Sequence, residues 1–198
     1  MNDEKTWVLQ AQHGNDEAFT QLVETYQTPV YNLCYRMLGH PEAAEDAAQE
    51  TFLRAYQHLH RYDIKRPFAT WLLSIAAHYC IDRLRKRKLP VFSVDEDEEA
   101  TFEVPDIQAL HPEAEAVNGE HRERIHAMVG SLDETDRAAI VMRYWYDFSE
   151  KEIADALNLT ISAVKSRLHR ARKQLGKQWQ ESSTPAHVER SPYESPAF

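Results

Sequence analysis

Apolar residues along this chain step by threes and fours, and nowhere alternate one in two, so the pattern predicts helices and no strands. Phe19, Leu22, Val23, Tyr26, Val30, Leu33, Cys34, Met37 and Leu38 form the first stripe. Pro29 lies inside it and predicts a kink or a break, and Gly39-His40-Pro41 ends it. A second stripe, over about residues 42–59, comprises Ala44, Ala47, Ala48, Thr51, Phe52, Ala55 and Leu59. Its small residues let a neighbouring helix approach closely. A polar loop over 61–66 follows, and Pro67 suits a first helical position. The third helix, from Phe68 to about Lys88, buries Trp71, Leu72, Ile75, Ala76, Tyr79 and Cys80, and Pro90 stops it.

The helical period returns after residue 120. Residues 121–129 read as a short helix. Ser131, with Glu134 three residues on, forms a capping box and opens a helix to about Tyr146, with Ala138, Ile140, Val141 and Tyr144 inward. Ser149 and Glu152 form a second box. Ile153, Ala154 and Leu157 give that helix its apolar side, and Asn158, which tolerates the left-handed conformation, ends it. After a three-residue turn, Val164, Leu168, Ala171 and Leu175 form the buried side of another helix. Its other side shows Ser162, Ala163, Lys165, Ser166, His169 and Arg170, with no acid before Lys177. A solvated basic helix would explain the charge alone. The preceding helix, the tight turn and the one-sided basicity together point to a helix-turn-helix whose second helix enters the DNA major groove.

Charge sharpens the division of the chain. The net charge of −9 is unexpected for a DNA reader. Nine of the 32 acids, however, fall within 91–117, which has no Lys or Arg; the other 23 acids match the 23 basic residues. The acidity is therefore a property of one segment, and basic patches remain available elsewhere. One such patch ends the third helix: Arg83, Arg85, Lys86, Arg87 and Lys88. Compensation of the helix dipole needs only one or two cations, and five in six positions favour contact with a polyanion. The organisation expected is a helical domain over 1–90, an acidic flexible linker over 91–119, a helix-turn-helix domain over 120–178 and a disordered tail over 179–198.

Other chemistry is sparse. Cys34 and Cys80 fall at apolar helix positions and read as buried thiols. The spacing predicts no metal site, and with only 5 glycines there is no phosphate-cradling loop. No nucleophile–base arrangement emerges, so neither catalytic residues nor a cofactor are expected. The polar N-terminus resembles no signal peptide, and no apolar run approaches the roughly 18 residues of a membrane span. A cytoplasmic protein without membrane insertion is the expectation.

Three blocks carry a family resemblance. AEDAAQETFLRAY (44–56), FATWLLSIAAHYCIDRLRKRK (68–88) and LDETDRAAIVMRYWYDFSEKEIADALNLTISAVKSRLHRARKQL (132–175) resemble regions 2.2, 2.3–2.4 and 4 of the extracytoplasmic-function sigma factors. The helix-turn-helix is only moderately specific; joined to the other two blocks in this order, it becomes highly so. The resemblance implies an all-α protein that binds core RNA polymerase, through the clamp helices and flap of its large subunits, and promoter DNA. An anti-sigma factor is the kind of regulator that the family leaves room for. Asp46, Gln49, Glu50 and Arg54 would dock on polymerase. The loop 61–67 and the start of the third helix would hold unstacked −10 bases, with Arg61, Tyr62, Lys65, Phe68, Trp71 and His78 at that site. His78 stands where the family often has Asn. Arg83, Arg85, Arg87 and Lys88 would contact backbone phosphates.

Region 4 would read the −35 element through Ser162, Ala163, Lys165, Ser166, His169 and Arg170, with Arg167 and Arg172 clamping phosphates. Ser162-Ala163 replaces a frequent Gly-Thr. Extended, residues 91–117 reach roughly 90 Å, enough to join two promoter elements. Their acids suit a positively charged channel that otherwise holds nucleic acid, although a plain solvated tether has the same composition. A stand-alone helix-turn-helix regulator is the alternative. It calls for a ligand or receiver domain in the first half, and the strand–helix alternation of a receiver is missing there.

Overall fold

The computed structural model describes residues 3–88 and 123–183, and everything in them that is regular is helical. The nine-acid segment, the residues 120–122 and the tail beyond 183 lie outside the described residues. The first half contains α1 (Asp3–Gln12), α2 (Asp16–Leu38), α3 (Pro41–His58), a short 3-10 turn (Leu59–Arg61) and α4 (Phe68–Lys88). The second half contains α5 (residues 123–130), α6 (Glu134–Trp145), α7 (Glu150–Leu157) and α8 (Ile161–Ser183).

Local chemistry sets most boundaries. Gly14 adopts φ 87, Asn15 then caps α2 by accepting from the Ala18 N–H at 2.9 Å, and the α1–α2 corner is tight. Gly39, at φ 80, closes α2 by donating to the Tyr35 carbonyl, the left-handed cap that glycine adopts without strain. The break predicted at Pro29 does not occur: α2 runs through it unbroken. Packing along both sides of α2, against α3 and α4, holds the helix across the one missing N–H. α1 left little trace in the hydrophobic pattern, because only Val8 and Ala11 of its ten residues are buried.

Leu22, Leu33, Met37 and Val30 of α2 meet Ala44, Ala47 and Ala55 of α3 and Leu72, Leu73 and Ala76 of α4 in the first core. The alanine face of α3 allows this close approach. Cys34 and Cys80 are free thiols within it. Contact with Cys34 and burial push the Cys80 thiol well above its ordinary pKa, which marks an inert core residue.

Three expectations for the second half change. Asp133, accepting from the Thr135 N–H at 3.1 Å, caps α6 in place of Ser131. Ser131 instead donates to the Met128 carbonyl at the end of α5 and accepts from the Gln178 side-chain amide at 2.8 Å. Tyr144 is 55% exposed, not inward. α6 is packed by the first half on one side and by α7 and α8 on another, so Ala138 to Met142 are all buried and Tyr144 falls beyond that arc. α8 continues through Gly176 to Ser183, further than its apolar stripe. No helix among the described residues is long and apolar enough to cross a membrane.

Candidate nucleic-acid and polymerase interface

The helix-turn-helix is built as its caps predict. The Ser149 side chain receives the Glu152 N–H at 3.2 Å while Glu152 accepts the Ser149 N–H at 2.8 Å. These hydrogen bonds hold the Glu152 carboxyl below the usual carboxylate range. Asn158 takes φ 54, ψ 46 and donates its N–H to the Ala154 carbonyl. Thr160, which the hydrophobic pattern could not mark, caps α8 by accepting from the Ala163 N–H at 3.1 Å. Val164, Leu168 and Ala171 are buried, which turns Ser162, Lys165, Ser166, His169, Arg170 and Arg172 outward; Ala163 is half-buried.

The cations of this helix are not equivalent. Arg167 is 28% exposed and paired to Asp136 at 2.6 Å and to Asp133 at 3.6 Å, while Arg170 reaches Asp136 at 3.4 Å. These pairs brace α8 against α6. Lys165 lies 3.6 Å from Glu150 on an exposed surface, where such a pair contributes little. The Arg172 Nε–H donates to the Leu168 carbonyl at 3.1 Å, and the side chain stays on the outside of α8.

In the first half the residues expected to meet −10 bases separate into two groups. Tyr62 and Phe68 are buried, and they pack with Trp71 as a three-ring cluster with centroids 4.8 to 5.6 Å apart. Burial pushes the Tyr62 hydroxyl up to about 12, and it donates to the Arg66 carbonyl across the loop. Neither ring offers an open face, so both support the surface and do not form it. Trp71 and His78 are half-exposed, and Arg61 and Lys65 are exposed. The His78 Nδ1–H donates to the Ser74 carbonyl at 2.8 Å, and Nε2 faces the Asn158 amide nitrogen at 3.5 Å.

The basic end of α4 divides in the same way. Arg83 turns towards α3, 3.6 Å from Asp46 and 3.5 Å from the Ala43 carbonyl, since it continues the side of α4 that carries Ala76 and Cys80. Arg85, Lys86, Arg87 and Lys88 are exposed. On α3, Asp46 and Gln49 are exposed, and Glu50 and Arg54 form a 2.6 Å pair, with the Arg54 guanidinium 4.8 Å from the Tyr79 ring. Leu53 and Tyr56 extend this face, each about half exposed. The sequence reading missed them because an exposed leucine in a helical stripe looks like core.

The two halves pack together along a seam. The Arg137 guanidinium of α6 donates to the Met37 and Gly130 carbonyls. The Tyr146 hydroxyl donates to the Pro29 carbonyl at 2.6 Å, and His126 Nε2 to the Tyr35 carbonyl at 3.2 Å. Lys88 pairs with Glu134 at 2.5 Å and Arg85 donates to Thr135 at 3.3 Å. α7 lies over the start of α4, and Asp155, Ala156 and Asn158 close a cavity of about 210 Å³ with Arg66, Thr70, Trp71, Ser74 and His78. The surface expected to hold −10 bases thus faces the turn of the helix-turn-helix.

Among the described residues, no group of three or more His, Cys, Asp or Glu is arranged to hold a metal ion.

Comparison with known proteins agrees with this architecture. Residues 22–89 match the family model for Sigma-70 region 2, and residues 122–175 match that for Sigma-70, region 4. The ECF RNA polymerase sigma factor SigW of Bacillus subtilis is 37% identical over 179 residues, which span 88% of this chain and 95% of SigW. SigX of the same organism is 33% identical over 168 residues, 82% of this chain and 84% of SigX. The solved structure of CnrH in complex with the cytosolic domain of CnrY superposes with a TM-score of 0.67 at 24% identity, covering 92% of this chain and 99% of CnrH. That of the sigma factor RpoE in complex with the anti-sigma factor NepR, from Bartonella quintana, gives 0.59 at 20% identity, covering 82% and 96%. These last two likenesses are of fold.

Proposed function

The chain belongs to the extracytoplasmic-function sigma factors of the sigma-70 family, and from that premise we propose that it starts transcription by docking core RNA polymerase, reading −35 and −10 promoter elements and helping to melt the duplex. The observation that supports this reading is that one chain joins a helix-turn-helix with a basic outward face to a second helical half that presents an aromatic ring beside exposed cations. The outward face of α8 (Ser162, Lys165, Ser166, His169, Arg170) has the shape and charge of a major-groove reader. The α4 surface, with Trp71, the His78 acceptor and exposed cations at Arg61 and Lys65, suits single-stranded bases.

Melting requires compensation for lost stacking, a few kcal/mol per base. Trp71 supplies ring surface, and His78 Nε2, once parted from the Asn158 amide, accepts from an exocyclic amine. Arg85, Arg87 and Lys88 neutralise phosphates. Arg83 acts indirectly, by tying α4 to α3. On α3, Asp46, Gln49, Glu50 and Arg54 dock on the clamp helices, and Leu53 and Tyr56 add the apolar centre that a stable interface needs. Region 4 meets the flap. The acidic segment joins the two domains through the polymerase's basic channel. Chemistry belongs to the polymerase; this chain supplies recognition and acts with it in the cytoplasm, under an anti-sigma factor where one is encoded.

The test is co-sedimentation of the full chain with core polymerase, followed by binding to duplex DNA and to non-template single strands. The expected result is a stable complex that gains affinity for both. Failure to bind core would leave only a stand-alone regulator.

A further inference from the structure

The residues that match the region 2 family model begin at 22, so α1 lies ahead of them. Yet α1 holds the loop that leads to Trp71. Gln12 is its last residue, and the Gln12 Nε2 amide donates to the Leu59 and Tyr62 carbonyls, each at 2.9 Å. These two carbonyls bracket the 3-10 turn from which the 62–67 loop departs. A primary amide has two diverging hydrogens, so one side chain spans both acceptors only if the turn is fixed relative to α1. Gln12 is itself fixed. The Asn15 N–H returns to the Gln10 carbonyl at 3.1 Å, the Gly14 N–H to that of Ala11 at 3.0 Å, and Val8 and Ala11 anchor the helix in the core.

The restraint passes on from Tyr62. Its hydroxyl holds the Arg66 carbonyl, and its ring lies 4.8 Å from Trp71 and 5.6 Å from Phe68. A second tie supports the same cluster: Tyr26 donates to Glu4 at 2.5 Å and meets Phe68 edge-on at 5.4 Å.

We infer that Gln12 is a positioning residue for single-stranded DNA recognition by the 61–67 loop and Trp71. The inference rests on the reading of that surface given above. A loop ordered in advance loses less conformational entropy when a base arrives, and the setting of the indole decides which base geometry is accepted. Without the amide, the Tyr62 carbonyl loses its partner and the loop gains alternative paths.

The test uses holoenzyme reconstituted from the full chain and core polymerase. The probes are a randomised pool of single-stranded DNA and a randomised −35 duplex pool. Gln12→Ala should bind the selected single strands roughly tenfold more weakly, the weight of two modest hydrogen bonds, and lose base preference. Core binding and −35 preference should not change. Gln12→Glu, the same shape without the donor, should behave like Gln12→Ala and serves in its place if that variant does not fold. Gln12→Lys, whose ammonium can donate to both carbonyls, should restore preference. Leu38→Ala weakens the same core at the far end of α2 and should lower the melting temperature without altering preference.

Wild-type base preference in Gln12→Glu, or the same loss of preference in Leu38→Ala, would overturn the inference. If the wild-type holoenzyme selects no sequence from the single-stranded pool, the reading of the surface fails and Gln12's role with it. If it selects one and the Gln12 variants select the same one as tightly, only Gln12's role fails.

Discussion

Arg170 and Arg172 sit two positions apart on α8 and have different partners. Arg170 leans on Asp136 while Arg172 is held only to its own helix. Lys165 and His169 stand one turn apart on the outward face, where side chains of a recognition helix meet base edges. Lys165→Ala or His169→Ala in the holoenzyme should therefore change which −35 sequences are preferred. Arg172→Ala should weaken all sequences about equally and reduce the salt slope by about one phosphate contact. Selection from a −35 library at two salt concentrations checks both, and unchanged preference in the first two variants would mean that the groove-facing side is assigned wrongly. The family resemblance made Arg167 a phosphate clamp, whereas the structure pairs it with Asp136 and Asp133. Its pairing with Asp136 depends on the packing of α6 against α8, which a one-dimensional pattern does not contain.

Among elements, α3 carries the plainest prediction. Its Asp46 and Glu50 pairs are partly exposed, and pairs at the surface contribute only about 0–1 kcal/mol to folding. Asp46→Lys with Glu50→Lys should weaken polymerase association while leaving the melting temperature within a few degrees, and Leu53→Ala should do the same without a change of charge. Pull-down of core at wild-type strength by all three substitutions together would remove this face from docking. The helices with wide apolar stripes and explicit caps, α2, α4, α7 and the start of α8, were legible in the sequence. So was the Asn158 turn, because few residues other than Asn and Gly accept its backbone. α1 was not legible, since two buried residues make no period. The cap of α6 was misplaced by two residues, because Ser131 and Asp133 both precede a plausible first turn and only the fold shows which side chain reaches it. Tyr62 and Phe68 were legible as aromatic, but whether a ring is a platform or a support depends on what covers it.

At the scale of the whole molecule, the seam sets α7 over Trp71 and His78, so the surface proposed for −10 bases is partly covered while the halves are packed together. Tyr146→Phe removes the hydrogen bond to the Pro29 carbonyl and should raise the free chain's affinity for single-stranded DNA by a few-fold, with an increase in its scattering radius. The seam should also loosen in acid. Burial, together with Arg137 and Arg36, lowers the His126 pKa, while its bond to the Tyr35 carbonyl opposes the shift and Glu123 lies near that tyrosine. A ring with a depressed pKa stabilises the closed form above its ordinary value of about 6.5, and that contribution is lost as pH falls below it. Small-angle scattering between pH 7.5 and 5.5 (roughly one pH unit either side of that value) should show expansion, and His126→Gln should remove the pH dependence. An unchanged radius in both experiments would mean that the seam is not held by these groups. The central claim is that the two surfaces act together on polymerase. Run-off transcription tests it most directly, with purified chain, core polymerase and promoters selected from a random library. The account predicts a transcript of defined start that requires the chain and disappears when either the −35 or the −10 element is scrambled. Transcription that is indifferent to the chain, or that survives scrambling of both elements, would contradict it.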